Sequence, residues 1–237
     1  MGQRSLQSSA EGPLEEGMAA QATDRFSSRL FGRLSKLLAS GERQEQRVAL
    51  SVIHTCGDRN PATWLPRLCV ALEQREGTGD FRRELVGELF LSVRARHLCE
   101  KPALVAALHD PDSTVQVLAA RVFAMRYPRE TVTLVAPLSQ LLERLDPDEP
   151  KDAANKALEL LAAIGSGGAA AELAVLPHLG ARSSGTRLLA CWALNAIDAR
   201  SPAALESLQH LAESERYCDT AHCADDAIKR IDDKMGK

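Results

Sequence analysis

Residues 186–197 read TRLLACWALNAI. Counting Thr186 as position 1, small or apolar side chains fall at positions 1, 4, 5, 8, 9 and 12, namely Thr186, Leu189, Ala190, Ala193, Leu194 and Ile197. At 3.6 residues per turn that spacing is a helix with one buried stripe. The pattern recurs in QRVALSVIH from 46, RELVGELFL from 83, VQVLAARVF from 115, AANKALELL from 153 and TAHCADDAI from 220. The starts are 37, 32, 38, 33 and 34 residues apart, a period that belongs to repeat architectures. Position 5 holds Leu50, Gly87, Ala119, Ala157, Ala190 and Ala224. Small side chains there let two helices cross closely. Position 9 holds His54, Leu91, Phe123, Leu161, Leu194 and Ile228, five of them bulky and apolar.

A second helical pattern precedes each window. Phe26 to Ala39 reads FSSRLFGRLSKLLA, and Asn60-Pro61 and Ser201-Pro202 open further helices with an N-cap followed by Pro at N1. The turns GER (41–43), GTGD (77–80), HDPDS (109–113), DPDEP (146–150) and ARSSG (181–185) separate the members of each pair. Pro and Gly stop one helix, and Asp and Ser cap the next. GSGG at 165–168 reads as a helix C-cap and inter-repeat loop. The unit is helix, turn, helix, six times over, and the fold class expected is all-α.

These residues resemble the HEAT-repeat family in the short form common in bacterial proteins. Asp110-Pro111 before Val115-Gln116, followed by Ala119-Ala120 and Val122-Phe123, carries the resemblance, as do Thr186-Arg187, Ala190 and Ala193-Leu194. It covers about residues 25–232. The family's Arg at position 2 stands only at Arg47 and Arg187, and Asp146-Pro147 lies two residues further from its helix. Tetratricopeptide repeats share the period but need aromatics at set places, and the chain has two Tyr and two Trp. The resemblance implies an α-solenoid, a right-handed superhelix with the second helix of each pair on its concave side. A lone pair cannot bury its apolar face, so neighbours stack. The expected organisation is a disordered tail over 1–22 and a single repeat domain over 23–234, with AHCADDAIKRIDDK as a polar C-terminal cap.

Composition agrees with this reading. The chain is 45% hydrophobic and 26% charged, with aromatics at 4%, as suits an ordinary globular protein rich in helix formers. Its formal charge of −3 gives no whole-chain attraction to nucleic acid or membrane. The N-terminal residues are polar, no apolar run approaches a membrane span, and Leu6 breaks a myristoylation pattern at Gly2. A cytoplasmic location with reduced thiols is therefore expected. Charge is uneven along the chain. Arg25 to Lys101 carries 14 Lys/Arg and 9 Asp/Glu (+5), and Thr131 to Lys237 carries 11 and 16 (−5).

In the expected register, positions 1, 4, 5, 8 and 12 of each window face the core and positions 3, 6, 7 and 10 face outward. Trp192 is position 7. Its equivalents are Val52, Leu89, Arg121, Glu159 and Asp226. A partly exposed Trp among small residues is the usual appearance of a binding hot spot. The expected contact set is Trp192, Asn195, Glu159, Arg121, Glu88 and Leu89, and the expected ligand is a protein or peptide. Trp64 is expected in the core of the opposite side. The outward positions carry Glu88, Glu159, Asp225 and Asp226 against Arg121 and Lys229, which argues against a phosphate-lined groove of the kind found in HEAT-like alkylpurine DNA glycosylases. Short HEAT repeats also occur in phycobilin lyase subunits, although no residue here points specifically to that role.

His54 with Cys56, His97 with Cys99, and Cys218 with His222 and Cys223 have ligand chemistry. They do not recur at equivalent window positions, and a tetrahedral site needs four converging ligands. An oxidising compartment would allow a Cys218–Cys223 disulfide. No nucleophile elbow, P-loop, HExxH or dinucleotide loop is present. The sequence therefore predicts a non-catalytic interaction module (an adaptor, an assembly factor or an inhibitor) without cofactor or metal.

Overall fold

A computed structural model describes residues 32–34, 36–38, 40, 42–56, 61–91, 100–148, 152–215 and 219–235, without the side chains at 43, 54–56, 61–64, 90, 91 and 235. The expected tail over 1–22, the metal-ligand candidates His97, Cys99 and Cys218, and the side chains of Trp64, His54 and Cys56 lie outside that description. Among the described residues the fold is all helical, with no strand. Residues 32–34 and 36–38 are helical, and beyond them eleven α-helices with described bounds follow one another. They are α1 (Arg43–Cys56), α2 (Pro61–Glu73), α3 (Gly79–Leu91), α4 (Glu100–Ala107), α5 (Ser113–Arg126), α6 (Val135–Arg144), α7 (Asp152–Ile164), α8 (Glu172–Val175), α9 (Ser184–Ala196), α10 (Pro202–Ser214) and α11 (Asp219–Met235). Short 3-10 segments fill Pro128–Leu134, Gly165–Ala171 and Leu176–Gly180.

The turn residues act as caps. Asp112 precedes α5, and its Oδ1 accepts from the backbone N–H of Thr114 at 2.8 Å and of Val115 at 3.3 Å. Ser183 accepts from Thr186 at the start of α9, and Ser201 from Ala204 at the start of α10, where Pro202 occupies the first turn. Each cap satisfies a backbone donor that the first helical turn leaves without an intrahelical partner. At its other end α9 closes with Ala199 N–H donating to the Leu194 carbonyl, and Asp198 takes the left-handed conformation at φ 64°. That is a Schellman ending with Asp in the place Gly usually fills. Ion pairs from Asp198 to Arg200 and to Lys234 of α11 accompany it.

The six sequence windows lie in α1, α3, α5, α7, α9 and α11. These odd-numbered helices pack in succession: α1 on α3, α3 on α5, α5 on α7, α7 on α9 and α9 on α11. The helices between them pack on the same set, α4 on α5, α6 on α7 and α10 on α11, and α2 packs on α4. Ala119, Ala157, Ala190 and Ala224 at position 5 are fully buried, and Phe123, Leu161 and Leu194 at position 9 are buried beside them. A methyl group at each crossing lets the neighbouring backbones approach, and the bulky residue one turn later fills the space beyond.

Buried charge also ties neighbouring units together. Arg82 at the start of α3 bonds both oxygens of Asp110, in the turn before α5. Arg126 at the end of α5 pairs with Glu100 of α4 at 3.1 Å and donates to the Leu89 carbonyl of α3 at 2.9 Å.

Two sequence expectations need correction. The segment between α7 and α9 is not one helix. Gly165 turns at φ 69°, and 3-10 geometry follows on both sides of the four-residue α8. Gly168 is buried there, and a Cβ on it would stand 2.8 Å from Ile197 Cγ2. The GSGG stretch therefore does more than end a helix, because its lack of side chains lets the 3-10 segment lie against α9. The second correction concerns apolar length. Asp152–Gly180 is long and apolar enough, by length and composition alone, to cross a membrane. It is broken by those 3-10 turns, and its α7 portion packs against α5 and α9.

Candidate functional site

The outward strip of the odd-numbered helices is narrower than the sequence register predicts. Position 6 is fully buried at Ala120, Leu158 and Cys191, and position 3 is buried at Leu85 and Val117. The reason is geometric. Each central odd helix has an odd neighbour on both flanks and a further helical segment behind it, so burial covers far more than one stripe. Positions 7 and 11 remain, and they hold the exposed side chains Arg121 and Met125 on α5, Glu159 and Ala163 on α7, and Trp192 on α9.

Trp192 answers the question its sequence context raises. Its neighbours in the chain, Cys191 and Ala193, are fully buried, while Trp192 itself is 52% exposed. One turn earlier on the same helix, Leu188 and Leu189 are half-buried, and one turn later Asn195 and Ala196 are half-buried. The indole thus stands on a shallow apolar strip. Met125 on α5 is 60% exposed, and its unbranched thioether adapts readily to the shape of a ligand. Sequence reading missed Met125 because position 11 was not assigned to the outward strip. Its place one turn beyond Arg121 was the signal that could have found it.

The expected contact residues divide accordingly. Trp192, Arg121 and Glu159 are exposed on the strip. Glu88 is half-buried on α3. Asn195 is half-buried, and its Oδ1 is shielded from solvent with no hydrogen-bond partner among the described residues. Leu89 is a correction. It is fully buried, so it belongs to the core and cannot touch a ligand on this face. Its helix α3 is held between α1 and α5, and Arg126 reaches its carbonyl.

Carboxylates flank Trp192 in the repeat register. They are Glu159 on α7 and Asp226 on α11, both exposed. Asp225 is exposed beside Asp226, and Lys229 approaches Asp226 only at 3.9 Å. Both Asp226 and Lys229 are well solvated, so their attraction is worth little. The apolar strip therefore runs from an arginine on α5 toward acidic groups on α7 and α11.

A separate open groove of about 780 Å³ lies between the 176–182 segment and α10, where Arg182, Arg187, Glu206, His210 and Glu215 line it. Arg187 is committed within the chain, to Glu215 and to the Ala181 and Arg182 carbonyls. Among the described residues no three His, Cys, Asp or Glu side chains are placed to share a metal ion. His178 is fully buried at the base of the Leu176–Gly180 segment. Burial is the largest influence on it and holds its pKa below the usual histidine value.

The chain matches no protein family, no curated protein and no solved structure.

Proposed function

We propose that the chain is a HEAT-like α-solenoid that binds a protein or peptide along the concave face formed by its odd-numbered helices, with Trp192 as the anchor. The observation that carries this reading is the exposure of Trp192, at 52%, on a helix whose adjacent residues Cys191 and Ala193 are fully buried. Leaving a large indole half in water forgoes part of its burial energy, and such residues concentrate at the centres of interfaces. The solenoid reading is supported by the serial packing of the six repeat-bearing helices and by the alanines at their crossings. In such a stack each unit touches its neighbours, and one face of the array stays open along its length.

The chemistry of the strip favours a partner with an apolar anchor and basic flanking groups. Glu159, Asp225 and Asp226 would meet those cations, and a cation over the indole face would add to the attraction. The same carboxylates disfavour a nucleic-acid backbone. The module acts without catalysis, as an adaptor, an assembly factor or an inhibitor in the cytoplasm.

A photo-crosslinking amino acid placed at position 192 tests the reading in cells that express the full chain. The same group at Leu173, 73% exposed on α8, is the control. A discrete protein adduct formed from position 192 and absent from position 173 is expected. Equal labelling from both positions, or adducts from 173 alone, would overturn the proposal.

A further inference from the structure

The helices on either side of Trp192 run in the direction of its own helix and nearly in its register. On the α7 side, the Arg182 backbone N–H donates to Asp148 Oδ1 at 3.1 Å, so the chain entering α9 meets the chain approaching α7. In the first turns of those two helices the Thr186 hydroxyl donates to Asn155 Oδ1 at 2.9 Å. On the α11 side, Arg187 near the start of α9 pairs with Glu215 shortly before α11. Asp198 just after α9 pairs with Lys234 near the end of α11. Starts meet starts and ends meet ends, so α7, α9 and α11 are parallel. Position 7 of each window therefore falls in one row across them, made of Glu159, Trp192 and Asp226, all exposed. Packed helices stand about 8–10 Å apart, which sets the spacing of the row.

We propose that this row binds a polyproline-II segment, with an apolar residue on the indole and a Lys or Arg three residues before and three residues after it. The proposal rests on the reading of Trp192 as a binding anchor and names the class of segment it takes.

Spacing selects the conformation. A polyproline-II chain repeats every three residues and rises about 3.1 Å per residue, so side chains i−3, i and i+3 share one face about 9 Å apart. That matches the row. A β-strand puts every second side chain on one face, about 7 or 13 Å apart, and misses the neighbours on both sides. An α-helix shares a face at i±7, about 10 Å away, but its width of about 10–12 Å calls for a walled groove. Trp192 stands instead on a shallow strip with Leu188, Leu189, Asn195 and Ala196 half-buried around it.

The chemistry agrees with the spacing. A polyproline-II backbone has no internal hydrogen bonds and stays solvated, so it asks nothing of helices whose own backbone groups are already bonded. Aromatic surfaces are what such segments dock on. Glu159 on one side, and Asp226 with Asp225 beside it on the other, would meet the two cations. Lys229 approaches Asp226 only at 3.9 Å, and both side chains are well solvated, so the acidic end keeps its charge for a ligand.

Fluorescein-labelled synthetic peptides test this by anisotropy against the full chain at low ionic strength. KPPLPPK should bind at least about 10-fold more tightly than EPPLPPE and more tightly than the shorter-spaced KPLPK. Trp192→Ala should weaken KPPLPPK by about 10-fold or more. Glu159→Lys and Asp226→Lys, both at exposed positions, should each weaken it roughly fivefold, the size of a surface pair turned repulsive. Replacing one terminal lysine of the peptide by glutamate should restore the loss in each variant. Equal binding of KPPLPPK and EPPLPPE, or charge reversals without effect, would overturn the proposal. So would tighter binding of a helical peptide with lysines seven positions either side of its leucine, or no binding of KPPLPPK at millimolar concentration. Any of these results beside a protein adduct from position 192 in cells would remove the segment class and leave the anchor standing. Absence of that adduct would remove both.

Discussion

Arg82 and Asp110 form a two-pronged ion pair inside the protein. Arg82 Nε donates to Oδ2 at 2.6 Å and Nη2 to Oδ1 at 2.9 Å, while Nη1 donates to the Gly77 carbonyl at 2.6 Å. The Asp110 side chain is 0% exposed. The same carboxylate accepts from the Asp112 backbone N–H at 2.9 Å and so orders the turn in which Asp112 itself caps α5. The pair spans the junction between two repeat units, and its bond to Asp110 raises the Arg82 pKa further above its ordinary value.

Removing one member should cost far more than removing both. Arg82→Met leaves a buried carboxylate with no cation, and a loss of about 3–5 kcal/mol in urea unfolding is expected. Arg82→Met with Asp110→Leu should recover much of it, because the orphaned charge is gone. A single-variant loss below about 1 kcal/mol would show that the pair does not hold the junction.

His178 predicts a pH dependence with a definite sign. Its folded-state pKa lies below the ordinary value of 6.5, because burial opposes the charged form. The unfolded chain therefore binds the proton more readily than the folded one. The contribution is fully present above pH 6.5 and is lost as pH falls below it toward the folded value. Unfolding free energies measured from pH 8 to pH 5 should fall over the acid part of that range. His178→Leu should flatten this part of the profile, and an unchanged slope in that variant would assign the acid sensitivity to other groups.

Gly168 and Ile197 should be energetically coupled. A Cβ at 168 would sit 2.8 Å from Ile197 Cγ2, so one of them must shift. Gly168→Ala should destabilise the protein by about 1–3 kcal/mol. In an Ile197→Ala background, which removes the clashing methyl, the cost should shrink by at least half. Strictly additive effects in the double variant would contradict the close approach.

Much of this fold was legible in the sequence because repetition averages out local ambiguity. One window such as AANKALELL is an ordinary amphipathic helix, but six with Ala or Gly at five of six equivalent crossings specify all-helical packing. The outward strip was less legible. Wheel geometry treats a helix as touching one neighbour, and it therefore placed Leu89 and position 6 outside. In the structure Leu89, Ala120, Leu158 and Cys191 are buried because each central helix is flanked on both sides. The break between α7 and α9 was also hidden. Gly165 and Gly168 signal a turn, but nothing local shows that Ile197, nearly thirty residues later, packs into the space they leave.

The central claim is that Trp192 is displayed for binding and is not a structural element of the core. Trp192→Ala tests it most directly when unfolding free energy and affinity for the protein crosslinked from position 192 are measured on the same preparation. The account predicts a stability change within about 1 kcal/mol, as for a surface position, and binding weaker by about 2 kcal/mol or more, roughly 30-fold. Unchanged affinity together with a stability loss of about 3–5 kcal/mol, the cost of truncating a core aromatic, would contradict it.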